Sequence, residues 1–344
     1  MKLYDRRHTM IVLGSIALLC LMASVALSQN VTKTGTTAAP FLKIGVGSRA
    51  MGMGGAFTAT ADDITAMYWN PGGLANVYAS EATFNHVRWF ADVNYDYAAF
   101  SSHLGDIGTL GAFVSVESMD DMLVRTEDHP EGTGEYFTAG AMAVGISYAR
   151  NLTDRFSIGF NAKYVREYLW NMSANGVALD IGTIYKIPIF NEFRLGASIS
   201  NFGTKMKLQG RDNIYIVAPT GSTGNLINTD IQLDEYDLPL VFRVGVAADF
   251  IKTDDNRITA AVDAVHPNDN TEYLNVGVEY GWNEMVFLRG GWKSLFERDT
   301  EQRFTAGIGV QYRIVGEFKV KVDYAYQDWG RLTNVHYLSL GVRF

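Results

Sequence analysis

Cysteine is nearly absent. The 344 residues hold one, Cys20, inside an N-terminal apolar run. A mature chain lacking that run would have no disulfide, no thiolate metal site and no cysteine nucleophile. Proline is scarce too, 7 residues against 34 glycines. No second long apolar run follows the first, which excludes a polytopic helical membrane protein, since that needs repeated stretches of ~20 apolar residues. Basic charge is short, 29 Lys and Arg against 37 Asp and Glu for a net charge of −8. That argues against nucleic acid as a partner, because such partners select a basic face. Aromatics are plentiful: 19 Phe, 18 Tyr and 6 Trp, within a hydrophobic share of 47% that excludes general disorder. Abundant Gly beside abundant Tyr and Phe suits strands and turns better than helices.

Lys2, Arg6 and Arg7 precede the apolar run Met10 to Leu27, which ends in the small-x-small pattern Ala26-Leu27-Ser28. This predicts a secretory signal peptide over residues 1–28, cut before Gln29. Residues 29–79 then form an N-terminal hatch segment and residues 80–344 a transmembrane β-barrel.

The barrel expectation comes from period two. Phe318, Val320, Val322, Tyr324 and Tyr326 alternate with Lys319, Lys321, Asp323, Ala325 and Gln327. Leu240, Phe242, Val244, Val246, Ala248 and Phe250 alternate with Val241, Arg243, Gly245, Ala247 and Asp249. Alternation over ~9–11 residues is the signature of a membrane-crossing strand. About 14 such segments occur, an even number as bacterial single-chain barrels require. They lie near 81–90, 93–103, 108–118, 138–149, 156–168, 176–186, 193–208, 238–250, 257–266, 272–281, 285–293, 303–313, 317–326 and 334–344. Connections of one parity are all short, among them Leu104–Ile107 and Ile314–Gly316. The other parity holds the long ones, Met119–Phe137 and Gln209–Asp237. Short periplasmic turns with long surface loops are how outer-membrane barrels are built. The fold class is therefore all-β, a transmembrane antiparallel barrel with a short Gly-rich plug.

Aromatics cluster at strand ends. Tyr148, Phe156, Phe193, Phe250, Tyr280, Trp282 and Tyr312 stand at the short turns; Trp89, Phe90, Tyr168, Trp170, Trp292, Phe296 and Trp329 stand at the loops. This predicts two interfacial girdles facing the lipid bilayer. Lys163, Arg194, Arg243, Asp249, Asp263, Glu279, Arg289, Lys321, Asp323 and Arg343 fall on the predicted lumen face. Their mixed signs suggest ladders of ion pairs rather than a single-sign ion filter.

Residues Phe41 to Ala79 break the alternation. Gly45, Gly47, Gly52, Gly54 and Gly55 crowd together, and Arg49 among them invites an acidic lumen partner. Asp62-Asp63 predicts an acidic N-cap for a short helix beginning at Ile64. Asn70-Pro71 ends it, because a residue before proline resists the α region. A segment this short cannot fold alone, and the barrel lumen is the available host surface.

FLKIGVGSRAMGMGGAFTATADDITAMYWNPGGLA, residues 41–75, resembles the N-terminal signature of the FadL-like outer-membrane superfamily, in particular its PorV/PorQ branch. Asn70-Pro71-Gly72 matches that family's Asn-Pro-Ala/Gly turn. Further likeness runs through GVALDIGTIYK, LGASISNFG, AVDAVHPNDN and the last 23 residues, which end in Phe344. The resemblance implies a 14-stranded barrel whose hatch plugs the lumen, inserted by the outer-membrane assembly machinery. PorV implies a type IX secretion component that binds exported cargo proteins; FadL implies passive carriage of hydrophobic molecules that leave through the wall. Either way the expectation is a non-enzymatic protein of the bacterial outer membrane, with no cofactor.

Gly45-Val46-Gly47-Ser48-Arg49-Ala50 matches a dinucleotide fingerprint, but the required βαβ context is missing. No G-x-S-x-G, H-E-x-x-H or P-loop occurs. Asp120, Asp121, Glu127, Asp128 and Glu131 read as a solvated acidic loop rather than a cation site.

Overall fold

The computed structural model describes residues 33–189, 191–218, 226–297 and 300–344. The predicted signal peptide and Cys20 lie outside the described residues. Fourteen strands form the barrel: β1 Glu81–Arg88, β2 Asn94–His103, β3 Thr109–Ser118, β4 Ala139–Thr153, β5 Phe156–Leu169, β6 Met172–Ile187, β7 Phe193–Gly203, β8 Val241–Lys252, β9 Asn256–Pro267, β10 Tyr273–Trp282, β11 Val286–Leu295, β12 Phe304–Val315, β13 Phe318–Gln327 and β14 Val335–Arg343. Each pairs antiparallel with its chain neighbours, and β1 closes on β14 with Glu81 opposite Arg343 and Arg88 opposite His336. Closure leaves no free sheet edge, the condition for crossing a bilayer with strands. No described helix is long and apolar enough to cross a membrane.

The sequence alternation becomes an outside and an inside. Phe242, Val244, Ile308, Val310, Val322, Leu338 and Leu340 are exposed outward, whereas Arg243, Ala247, Asp249, Thr305, Ala325 and Gln327 are buried. The inward residues are mostly small or polar, which leaves lumen space for another chain segment. Turns such as Asp154–Arg155 and Gly316–Glu317 gather at one rim and the long loops at the other.

Some boundaries differ from the sequence expectation. β4 runs on to Thr153 and β6 begins at Met172, because their hydrogen bonding continues beyond the apolar alternation. β7 stops at Gly203 instead of 208. The β6–β7 register slips between Leu179 and Ile181, and Asn201, opposite the slip, has a φ of 66°. Asn tolerates that left-handed conformation better than most residues, and a bulge there bends the strand. The short helix spans Ala66–Trp69 with Thr65 as its N-cap, not Asp63. Asp63 instead accepts hydrogen bonds from the backbone and hydroxyl of Thr65, making a local turn that delays the helix.

Trp89, Phe90 and Trp329 correct the girdle expectation. They form a cluster with centroids 5.0–5.2 Å apart, Trp329 edge-to-face with both Trp89 and Phe90, packed against the buried core. Alternation explains the two tryptophans: Val87 is buried, so Trp89 shares its inward parity, and Ala325 and Gln327 set the same parity for Trp329. Trp170, Trp282, Trp292, Phe250, Tyr312 and Phe296 do face outward.

Candidate functional site: the filled lumen

Residues 34–79 run the depth of the lumen. At the loop rim the Ala38 amide donates to the Asp237 carbonyl (2.9 Å), and Lys43 pairs with Asp269. At the short-turn rim the Ser80 amide donates to the Phe344 carbonyl (3.0 Å). Between them Phe41, Met51, Met53, Phe57, Met67, Trp69 and Leu74 are 3% exposed or less. Burial of one such side chain stabilises by about 1.5–3 kcal/mol, and here the surface that covers them includes the barrel wall.

The segment approaches that wall backbone to backbone. Gly54 has a φ of 67° and sits against backbone atoms of Trp292 and Val276, where a Cβ would clash. The barrel returns the fit. A Cβ on Gly182 would overlap the Asn70 side-chain oxygen, and one on Gly159 the Pro71 carbonyl. Gly196, Gly277 and Gly291 meet the plug backbone in the same way. These wall glycines were missed in the sequence reading. Their signal was available, since each lies at inward parity and glycine inside a strand often marks close backbone approach.

Asn70 joins three pieces. Its amide donates to the Thr58 carbonyl (2.7 Å) and to the Thr183 carbonyl of β6 (3.0 Å), while its oxygen accepts from the Gly72 amide (3.1 Å). Pro71 then opens a 3-10 turn, Pro71–Asn76, where its missing N–H costs nothing. Wall side chains satisfy other plug backbone groups. Asp263 accepts from the Phe57 and Thr58 amides (2.9 and 2.8 Å), Asn161 donates to the Met67 carbonyl (2.6 Å), Ser198 to that of Trp69 (3.0 Å) and Thr305 to that of Gly52 (3.1 Å).

Charge converges on Glu279 of β10, which is 1% exposed. Arg49 reaches it through Nε and Nη2 (3.0 and 3.1 Å), Arg289 through Nε (2.7 Å) and Arg257 through Nη2 (3.0 Å). Each guanidinium also holds a second acid: Arg49 holds Asp62 and Asp63, Arg257 holds Glu284, and Arg289 holds Asp323. Nearby Glu81 pairs with Lys321 (3.3 Å), lies 3.8 Å from Arg343 and accepts from the Ile64 amide (3.2 Å). A separate group joins Arg194 to Asp249 (2.7 Å). Lys163 and Asp180 pair at 2.8 Å beside the β6–β7 slip. Arg243 stands apart, over the rings of Tyr68 and Trp69. Gly45, Gly47, Gly52 and Gly55 lie in the buried plug without a chemical group to offer. Among the described residues no group of three or more His, Cys, Asp or Glu is placed to hold a metal ion.

Such an interior fastens a plug, with charges of both signs paired across it. Comparison with solved structures places the fold. The chain is similar to the CymD monoaromatic hydrocarbon channel, with a TM-score of 0.56, 12% identity, and 87% of this chain and 97% of that one covered. It is similar to the Ralstonia pickettii toluene transporter TbuX, with a TM-score of 0.53, 14% identity and coverage of 87% and 97%. It is also similar to a Pseudomonas aeruginosa FadL homologue, with a TM-score of 0.50, 11% identity and coverage of 87% and 98%. At these identities the likeness establishes a shared FadL-like outer-membrane barrel fold. No curated protein matches the sequence at a significant level. The family model described as Type IX secretion system protein PorV matches residues 27–267, well over half of the sequence. This outer-membrane β-barrel therefore belongs to the PorV family.

Proposed function

We propose that the barrel is a non-enzymatic platform at the cell surface, a PorV-like component that handles exported protein. The observation that carries this reading is the contrast between a filled lumen and built loops. The lumen is occupied by a segment fastened from many strands. The long loops carry their own β-ribbons, Met122–Leu123 with Tyr136–Phe137 and Ile214–Val217 with Ile227–Asp230. The second ribbon exposes Ile214, Tyr215, Ile216, Val217 and Ile227, apolar side chains that suit a protein partner. Lipid surrounds the wall, which Leu338 and Leu340 of β14 face. Trimming Met119–Phe137 or Gln209–Asp237 tests the reading: co-purification of exported protein in mild detergent should be lost while the barrel still assembles. Retention of cargo by both trimmed chains would refute it.

One observation favours FadL-like passage of a hydrophobic small molecule instead. An outer groove of about 660 Å³, lined by Val144, Ile146, Tyr164, Val177, Leu179 and Phe202, lies beside the β6–β7 register slip. Uptake of a hydrophobic solute that falls when Asn70 and Pro71 are replaced, with cargo capture unchanged, would select this second reading.

A further inference from the structure

The short-turn mouth of the lumen holds a cavity of about 240 Å³ between plug and wall. Arg49, Asp62 and Asp63 of the plug border it on one side; Lys319, Lys321 and Arg343 of β13 and β14 border it on the other. These three cations share the inward parity of Ala325 and Gln327 on β13 and of Tyr337 and Ser339 on β14, all buried. The register aligns charge of one sign. Arg313 of β12 stands directly opposite Lys319, and Lys319 directly opposite Arg343. Like charges so placed destabilise a sheet. Elsewhere on this wall the opposed position holds the opposite charge, as Glu279 does for Arg289.

Carboxylates are spread unevenly around the cavity. Arg49, Arg257 and Arg289 share five of them: Glu279, Asp62, Asp63, Glu284 and Asp323. The four cations Arg313, Lys319, Lys321 and Arg343 have one within ion-pair distance, Glu81, at 3.3 Å from Lys321 and 3.8 Å from Arg343. Among the described residues the side chains of Arg313 and Lys319 make no hydrogen bond or ion pair. Glu317, an exposed residue, acts on Lys319 from beyond ion-pair distance, against repulsion from Arg343, Arg313 and Lys321. The Arg343 Nε is buried without a hydrogen-bond acceptor.

Two guanidinium forks and two ammonium groups around one shared acid call for an anion of more than one charge. A carboxylate brings a single charge. A phosphomonoester brings about −1.5 to −2 near neutral pH and three acceptor oxygens, and guanidinium forks match its geometry. An apolar solute would desolvate the cations and return nothing. We propose that this mouth binds a phosphate group, held by Lys319 and Arg343, with Lys321 and Arg313 flanking it. The group belongs either to a soluble phosphomonoester or to a lipid headgroup at the same rim. The inference does not depend on what the surface loops hold.

Calorimetry follows inorganic phosphate titrated into the full chain in detergent micelles, at constant ionic strength because exposed charge is screened by salt. Phosphate should bind about tenfold or more tighter than acetate, as an added charge-assisted contact predicts. It should also raise the temperature at which the unheated SDS band shifts, since a ligand of the folded state stabilises that state. Lys319→Met should weaken phosphate binding about tenfold and cancel the rise, whereas Lys319→Arg should keep both. Without phosphate, Lys319→Met should fold at least as well as wild type, because it relieves repulsion within the row. Arg155→Gln, on another turn of the same rim, should leave phosphate binding unchanged. Nanodiscs distinguish the two sources. Phosphate affinity lowered by phosphatidylglycerol relative to phosphatidylcholine assigns the site to a lipid headgroup; equal affinity in both assigns it to a soluble ester. Acetate binding as tightly as phosphate overturns the proposal in favour of an acidic peptide. Phosphate affinity that survives Lys319→Met, or that falls equally in Arg155→Gln, overturns it outright.

Discussion

Replacing Glu279 with alanine removes the carboxylate on which Arg49, Arg257 and Arg289 converge. Removing one partner from a buried ion pair costs about 3–5 kcal/mol, because the other charge is left in a poorly solvated place. Here each guanidinium keeps a second acid, so the loss belongs at the lower end, about 3 kcal/mol. Arg49→Met removes only the plug's share. Hydrogen bonds to charged groups contribute about 1.5–3 kcal/mol, and the pairing of Arg257 and Arg289 with Glu279 survives. The two variants therefore separate wall from plug. Denaturant unfolding in micelles should show Glu279→Ala clearly weakened, with the unheated band shifting at a lower temperature. Arg49→Met should keep wild-type band migration yet pass more current in a planar bilayer. A Glu279→Ala barrel within about 0.5 kcal/mol of wild type, the range of ordinary surface changes, would refute the claim that this cluster fastens the plug to the wall.

Two further substitutions probe the wall. Val322→Arg should block assembly, since Val322 faces outward and Arg near the bilayer midplane costs ~2–4 kcal/mol; Lys321→Ala, on the inner face, should assemble, and equal yields of folded barrel would contradict the face assignment. Gly182→Val places a side chain where Asn70 and Pro71 lie; overpacking of that kind costs about 1–3 kcal/mol, and protease should cut the plug more readily, whereas unchanged protection would mean the contact is loose.

The strands were legible because period two is local: each residue of β13 declares its face by its neighbours two positions away. The inner charges were legible as a set for the same reason. Their pairing was only partly so. Glu279 and Arg289 sit opposite each other across one hairpin, but Arg49 reaches Glu279 across 230 residues of sequence, and nothing short of the barrel's closure sets that meeting. Trp89 and Trp329 went astray because a rule about rims overrode the strand's own alternation, which places both inward. The helix start failed by competition. Asp63 caps well in isolation, yet here its carboxylate is taken by Thr65, and the chain turns once more before the helix begins.

Conductance in a planar bilayer tests the central claim most directly, that the N-terminal segment closes the lumen. The intact chain should pass no appreciable ion current. A chain lacking Gly45–Leu74 should insert, show the same heat-dependent migration in SDS, and conduct. Full conductance by the intact chain, or a deleted chain that inserts and stays closed, would contradict it.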